Sequence, residues 1–209
     1  MSKDNTKQFV TSKVVGKLLQ DDQFEDWWES EPREIPFFDN KKIEITFMDL
    51  VPADDNTFIE EADRALESFF SKSNTDRNGL SVLVYKHSID FVDAVGWEDE
   101  DEYLRDLKDK NEIWNYVYPQ QIMVSRRNRR DKDIYITIAC ECDWEQEHGL
   151  QLIFRQGKKL TRISDQDGHL TESDAFDTPD NEDFLLSEFD SNSNISDKKR
   201  LPWWRRLWS

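Results

Sequence analysis

Polar and hydrophobic residues alternate most regularly over residues 134–145, where the period of two predicts a β-strand with one apolar face. The apolar positions of this stretch are Ile134, Ile136, Ile138, Cys140, Cys142 and Trp144. A turn at residues 146–149 would give three apolar pairs: Trp144 with Leu150, Cys142 with Leu152, and Cys140 with Phe154. A second tight turn at Gln156 and Gly157 leads into a strand over residues 158–164. The sequence therefore predicts a C-terminal antiparallel meander.

Helical spacing replaces this alternation earlier in the chain. A first helix is predicted by Phe58, Ala62, Ala65, Leu66, Phe69 and Phe70, with Asp54 or Asp55 as its cap. A second helix over residues 77–95 ends at Gly96 and presents Leu80, Leu83, Val84, His87, Phe91 and Val95 on one face. A shorter helix is predicted over residues 99–109, and a break at Pro119. Short strands at 13–19, 34–37 and 42–47 precede them. The predicted fold class is α+β: N-terminal short strands, two to three central helices and a C-terminal antiparallel β-meander.

Charge divides the chain into three segments. Residues 1–176 contain 23 basic and 38 acidic side chains and are predicted to form a single domain. Residues 177–197 have seven acids and no Lys or Arg, which indicates an acidic linker. Its apolar residues Phe184, Leu185, Leu186 and Phe189 would alternatively form a short helical turn that docks on the domain. Residues 198–209 contain five basic residues and no acid, and form a Trp-rich tail.

The net charge of −17 limits the classes of function and the compartment. It argues against nucleic-acid binding, which needs a basic surface, and permits attraction to a basic partner. The first residues contain no apolar run of a signal peptide, and no stretch approaches the roughly 20 apolar residues of a spanning helix. With two cysteines, the chain is expected in the reducing cytoplasm, or at the inner membrane face if the tail binds lipid.

The run from Cys140 to Leu150 concentrates groups capable of chemistry. Cys140 and Cys142, completed by His148 and His169, would form a tetrahedral zinc set, and a metal-binding or hydrolytic enzyme centred on these four residues is the alternative function. Zinc motifs more often use a Cys-x₂-Cys spacing, however, and two residues apart on a strand the cysteines share the face of the isoleucines. We therefore predict reduced core cysteines, with no metal, cofactor or catalytic residue assigned.

A small polar corner remains for a ligand or partner. Glu147 and His148 lie in the predicted turn, where the histidine suits a general base at neutral pH but has no recognisable nucleophile beside it. Asp165, Asp167 and His169 resemble the start of a calcium loop, although the fifth and sixth positions lack the required oxygen ligand and glycine. A turn after a strand explains the latter group equally well. His87, on the apolar helix face, is predicted to be a satisfied core histidine.

Two basic clusters stand out from the acidic background. Arg126, Arg127, Arg129 and Arg130 would grip a phosphate or carboxylate ligand, or pair with acids of the same domain, which we favour. The tail combines Trp203, Trp204, Arg205, Arg206 and Trp208, a composition that suits an anionic membrane surface or a protein partner. Folding back onto the acidic domain is the third option. The acid run 98–102 would bind a basic partner or simply begin a solvated helix.

Three stretches carry a resemblance: residues 125–135, with four arginines; residues 140–150, reading Cys-Glu-Cys-Asp-Trp-Glu-Gln-Glu-His-Gly-Leu; and residues 164–171, reading Ser-Asp-Gln-Asp-Gly-His-Leu-Thr. With them the chain resembles an uncharacterised bacterial family, a domain of unknown function, over about residues 10–176. The resemblance implies a small, soluble bacterial protein of the cytosol without an assigned reaction. Our functional prediction is a non-enzymatic binding protein with a docking tail, of which an immunity-type inhibitor of a basic toxin is one specific form.

Overall fold

The computed structural model describes residues 8–187, so the Trp-rich tail and most of the predicted linker lie outside the described residues. The strands are β1 (Phe9–Ser12), β2 (Gly16–Gln20), β3 (Trp28–Ser30), β4 (Arg33–Ile35), β5 (Lys41–Phe47), β6 (Val117–Arg126), β7 (Ile134–Cys142), β8 (Glu145–Arg155) and β9 (Lys159–Ser164). The α-helices are α1 (Phe58–Phe70), α2 (Asn74–Asn78), α3 (Ser81–Val95), α4 (Glu102–Asp106), α5 (Glu172–Ala175) and α6 (Phe184–Ser187). Short 3-10 turns occupy Pro36–Phe38, Asp99–Asp101, Lys110–Tyr116 and Asp180–Glu182.

All nine strands join one sheet, in the order β1-β2-β3-β5-β6-β7-β8-β9, with β4 also paired to β5. Among the described strands only β5 and β6 run parallel, with Ile45 opposite Ile122. A parallel pair needs a long crossover, and α1 to α4 supply it. The predicted α+β class, with short strands first and an antiparallel meander last, is confirmed. No helix in the described part of the chain is both long and apolar enough to cross a bilayer.

Helix α1 forms where the apolar stripe predicts it and packs on β6 and β7. The predicted cap is wrong by two to three residues, because Thr57 and not Asp54 or Asp55 occupies the N-cap position. The Asp55 carboxylate instead accepts hydrogen bonds from the amide of Thr57 at 3.1 Å and from its hydroxyl at 3.0 Å. It therefore fixes the turn that leads into the helix, a common use of aspartate at such positions.

The second predicted helix is interrupted. Helix α2 starts with a capping box of Ser73 and Asp76 and ends at Gly79. Helix α3 begins two residues later and ends at Gly96, as predicted. Leu83 and Val95, placed on the buried face by the sequence, are 40% and 65% exposed, so their placement is wrong. The buried positions of α3 are Ser81, Val84, His87, Ser88 and Val92.

Two other predictions, one at each end of the segment before the meander, differ from the structure. Residues 13–19 form a hairpin turn and β2 instead of one strand, since Gly16, at φ 84°, reverses the chain between β1 and β2. Pro119 does not end an element: β6 runs through it, with an irregular register between Pro119 and Gln121. A bulge lets a strand tolerate the missing amide donor of proline.

The β7–β8 hairpin has a different register from the predicted one. Cys140 faces Leu150, and Cys142 faces Glu145, so the tight turn lies at Asp143 and Trp144. Ile136, Ile138 and Cys140 still meet apolar partners, because over this stretch the predicted register is wrong by four residues, an even number that keeps both faces. Cys142 lies beyond the irregularity and faces Glu145, not an apolar residue. The extra residues of β8, 146–149, form a wide irregularity opposite Cys140 and Cys142.

Strand β7 is buried on both faces, whereas the sequence predicts one apolar face and one polar face. Tyr135, Thr137 and Ala139 are at most 7% exposed. Their partners on β8 are Arg155, Ile153 and Gln151, and Arg162 of β9 lies opposite Ile153, so this second face is rich in polar groups. Residues 165–187 pack over it, with α6 against β9 and Leu186 buried. We call residues 165–187 the C-terminal segment.

Candidate functional site

Glu147 and His148, predicted to lie in a turn, are part of strand β8, and the buried carboxylate of Glu145 fixes their backbone. Glu145 is 7% exposed, and its Oε1 accepts hydrogen bonds from the backbone amides of Glu147 at 2.8 Å and His148 at 2.9 Å. Gly149 then adopts φ 62°, where a Cβ would stand 2.4 Å from the carbonyl oxygen of Cys140. Only glycine fits this close approach. The local fold thus holds the His148 side chain outside, with 58% of its surface exposed.

The two cysteines are core residues in this structure. Cys140 and Cys142 are reduced and buried. Burial raises the pKa of the Cys140 thiol, and it raises the pKa of Cys142 to about 12, although a hydrogen bond with the backbone of Glu145 acts in the opposite direction. The thiolate, which is the nucleophilic and metal-binding form, is therefore disfavoured at neutral pH. Within residues 8–187, no three His, Cys, Asp or Glu side chains are grouped so that they could hold a metal ion.

The other half of the polar corner is a turn held by an arginine. Asp167 forms an ion pair with Arg162 and accepts hydrogen bonds from Gln151 Nε2 at 2.8 Å and from the amide of His169 at 3.0 Å. The backbone carbonyl of His148 accepts a hydrogen bond from the amide of Gln166, which brings this turn beside the β7–β8 hairpin. His169 itself is exposed. The structure therefore brings the pair Glu147 and His148 close to the turn of Asp165, Asp167 and His169 mainly through backbone contacts.

His87 is buried, as the sequence predicts, but it is not fully satisfied. Its Nδ1 has no hydrogen-bond partner among the described residues, and its Nε2 lies 3.5 Å from Oδ1 of Asp165. That carboxylate oxygen also makes no hydrogen bond in the described part of the chain. The pair links α3 to the loop after β9 at a distance longer than a good hydrogen bond.

The arginine cluster is divided between the two faces of the sheet. Arg126 points to the helix side, where its Nε pairs with Asp55 at 2.7 Å and its Nη1 with Glu61 at 2.6 Å. Arg127 lies on the other face, 4% exposed, under the C-terminal segment. Arg130 follows Arg127 to the same segment and pairs with Asp180 at 3.0 Å.

Arg127 is the centre of the contacts that hold the C-terminal segment. Its guanidinium donates to both carboxylate oxygens of Asp174, at 2.9 and 2.8 Å, and to both of Asp180, at 2.9 and 2.8 Å. It also donates to the hydroxyls of Thr171 and Ser173, each at 3.0 Å. Burial by itself lowers the pKa of Arg127, but the hydrogen bonds to Asp174 and Asp180 outweigh this effect and raise the pKa, so the guanidinium stays charged. The carboxylates that pair with Arg127 therefore belong to this same chain and not to a ligand.

The sequence reasoning missed Arg162. This buried arginine holds the turn at Asp167 and the start of the C-terminal segment at Glu172. Arg162 is 5% exposed and donates to Glu172 at 2.6 Å and to the carbonyl of Thr171 at 3.2 Å. One signal was present in the sequence: Arg162 occupies an interior position of a predicted strand, and a buried cation requires acids nearby. Asp167 and Glu172 follow it by five and ten residues.

An acidic surface lies at the C-terminal end of α3 and before α4. Glu98, Asp99, Glu100 and Glu102 are all exposed, and they follow directly after Val95, which is 65% exposed. We call these five residues, with Trp97, the acidic surface. The ring of Trp97 lies 3.8 Å from the Arg105 guanidinium. The surface therefore combines carboxylates with an aliphatic and an aromatic side chain.

The fold and these contacts define a class of protein: an α+β fold whose buried arginines bind the C-terminal segment of the same chain, with an acidic surface elsewhere. Residues 14–170 match a family described as Domain of unknown function (DUF6985), and the chain belongs to that family. The match includes the arginine cluster, the cysteine strand and the turn at Asp167. No curated protein and no solved structure is significantly similar to the chain.

Proposed function

We propose that this protein is a non-enzymatic binding protein of the bacterial cytoplasm, and that its acidic surface binds a basic protein partner. The observation that carries the proposal is the placement of charge. Arg126, Arg127, Arg130 and Arg162 all pair with acids inside the domain, whereas the carboxylates from Glu98 to Glu102 remain at the surface.

The acidic surface has the composition of a protein interface. Val95 and Trp97 provide the apolar area that carries binding energy, while the surrounding carboxylates accelerate encounter with a basic partner and select against acidic ones. An immunity-type inhibitor that neutralises a basic toxin is the specific form we favour, since such a protein needs charge and rigidity and no catalytic group. The bacterial setting is what the resemblance of residues 125–135, 140–150 and 164–171 to an uncharacterised bacterial family implies.

The test is a charge reversal at the acidic surface. A variant with Lys at Glu98, Asp99 and Glu100 is compared with a control variant that has Lys at Glu25, Glu31 and Glu34, three exposed acids elsewhere. We expect the wild type and the control to retain a basic partner from lysate of the source organism, and that partner to be released by salt.

The retained partner is then purified and titrated against each variant. Reversal of the acidic surface should weaken binding by about 100-fold or more, since like charges at an interface cost several kcal/mol. Hydrogen exchange should slow in α3 and α4 when the partner is bound. Equal affinity of the two variants, or protection elsewhere on the domain, would contradict the proposal.

For the tail we propose a docking role, to an anionic membrane surface or to a second protein. The support is its composition of three tryptophans and five cations among twelve residues. Deletion of residues 198–209 should abolish retention by liposomes that contain anionic lipid, or by the protein partner. Liposome retention of the full chain favours the membrane, and equal recovery of the deleted chain in both assays excludes the docking role.

A further inference from the structure

A polar cleft lies on the helix side of the sheet, between α1, the loop from β6 to β7 and the turn from β8 to β9. Its volume is about 710 Å³. Four of the lining residues are cations: Arg64, Arg126, Lys132 and Lys158. The lining contains no aromatic ring, and most of it is polar or charged. The lining also contains four acids: Glu61, Glu67, Asp131 and Asp133.

The carboxylates that line the cleft are largely committed to arginines. Asp131 accepts hydrogen bonds from Arg127 at 3.0 Å and from the hydroxyl of Tyr135 at 2.7 Å. Asp133 pairs with Arg155 Nε at 2.6 Å. These arginines lie outside the lining, so their charges neutralise two of the acids of the cleft without occupying it.

The lysines of the cleft are not neutralised in this way. Lys132 and Lys158 are exposed, and neither forms an ion pair with any residue between 8 and 187. Arg64 pairs with Glu60 at 2.9 Å, but both side chains are more than half exposed, and such surface pairs contribute little. Three cations are therefore available to a ligand at low cost.

Arg126 lies at the base of the cleft and is committed to groups of the domain itself. Its side chain is 10% exposed; Nε binds Asp55, and Nη1 binds Glu61 and the carbonyl of Lys132. Its Nη2 has no hydrogen-bond partner among the described residues. That nitrogen is also shielded from solvent, so a ligand in the cleft does not reach it, and Arg126 serves to hold the carboxylates at the base.

We propose that this cleft binds a small phosphorylated polyol of the sugar-phosphate class. The phosphate is placed against Lys132, Lys158 and Arg64, the three cations of the cleft that no buried carboxylate neutralises. The hydroxyl groups find acceptors and donors in Glu67, Ser68 and Gln156 of the lining. A nucleotide fits less well, because no aromatic side chain is present to stack on a base. The volume lies within the range of small-molecule sites.

Isothermal titration of the full chain tests the ligand class with four probes: glucose 6-phosphate, inorganic phosphate, glucose and adenosine monophosphate. We expect saturable binding of glucose 6-phosphate, weaker binding of inorganic phosphate and no binding of glucose. Adenosine monophosphate should bind no more tightly than inorganic phosphate. Absence of saturable heat with glucose 6-phosphate up to about 10 mM, or tighter binding of the nucleotide, overturns the proposal.

A pair of variants tests the location. Lys132→Ala combined with Lys158→Ala removes two exposed ammonium groups and should leave the fold intact, as an unchanged melting temperature would show. The affinity for glucose 6-phosphate should fall by about tenfold or more, since each charge-assisted contact is worth about a factor of ten. The matched control is Arg129→Ala, an exposed cation of the same loop that does not line the cleft. Unchanged affinity in the double variant, or an equal loss in the control, overturns the assignment.

Discussion

Replacement of Arg127 by methionine tests whether buried ion pairs hold the C-terminal segment. Methionine keeps most of the apolar stem and removes the donors to Asp174, Asp180, Thr171 and Ser173. Loss of one partner from a buried ion pair costs about 3–5 kcal/mol. The side chains of Asp174 and Asp180 are 21% and 37% exposed, so they regain some water, and we expect the lower end, about 3 kcal/mol. For a chain of this length that corresponds to a fall of about 6–12 °C in Tm.

Urea denaturation followed by circular dichroism measures this loss, and hydrogen exchange locates it. Amides of residues 171–187 should exchange faster in the variant than those of β7 and β8. The matched control, Arg129→Met on the same exposed loop, should change stability by less than about 0.5 kcal/mol. Addition of Asp180→Asn to the Arg127 variant should recover part of the loss, because it removes an uncompensated carboxylate. A loss below about 1 kcal/mol, or no recovery in the double variant, would refute the reasoning.

Three further outcomes follow from local geometry. Gly157→Ala should destabilise the fold by about 3 kcal/mol or more in urea titrations, since its Cβ would stand 1.9 Å from a carbonyl oxygen of α1; Gly168→Ala, with a similar φ and open space, should cost about 1 kcal/mol. The thiols of Cys140 and Cys142 should react with a thiol reagent at pH 8 about a hundredfold more slowly in the native than in the unfolded chain. Burial raises the pKa of Asp180, but hydrogen bonds and charges of its arginine neighbours outweigh this and lower it. Its stabilisation should therefore be complete above the unfolded-state value of about 3.9 and be lost as the pH falls through the folded-state value, which acid denaturation measures.

The predictable parts of the fold are those determined by local periodicity. Helix α1 and the antiparallel meander follow from spacing alone, because their apolar residues repeat at 3.6 and at two positions. The hairpin register does not, since the even shift between Leu150 and Phe154 as partner of Cys140 leaves Ile136, Ile138 and Cys140 facing apolar residues in either register. The register depends instead on the close approach of Gly149 to the Cys140 carbonyl, a contact that alternation does not reveal.

The site was less predictable, because its contacts join residues that are far apart in sequence. Arg127 meets Asp174 and Asp180 across 47 and 53 positions. The sequence shows an arginine cluster and an acidic stretch, and both also suit solvent exposure or a ligand. The alternation correctly places Tyr135 on the face opposite the isoleucines. The residues near Tyr135 in sequence do not indicate that the C-terminal segment covers this face and buries it.

The parallel pair of β5 and β6 has a consequence for the order of folding. Strands β6 to β9 are joined by short turns, so their hairpins can form early. Pairing Ile45 with Ile122 must close a loop of 76 residues, which carries a larger entropic cost. We therefore expect the meander to nucleate the domain and the N-terminal strands to join late. Destabilising changes in β5 should then accelerate unfolding while leaving the folding rate nearly unchanged.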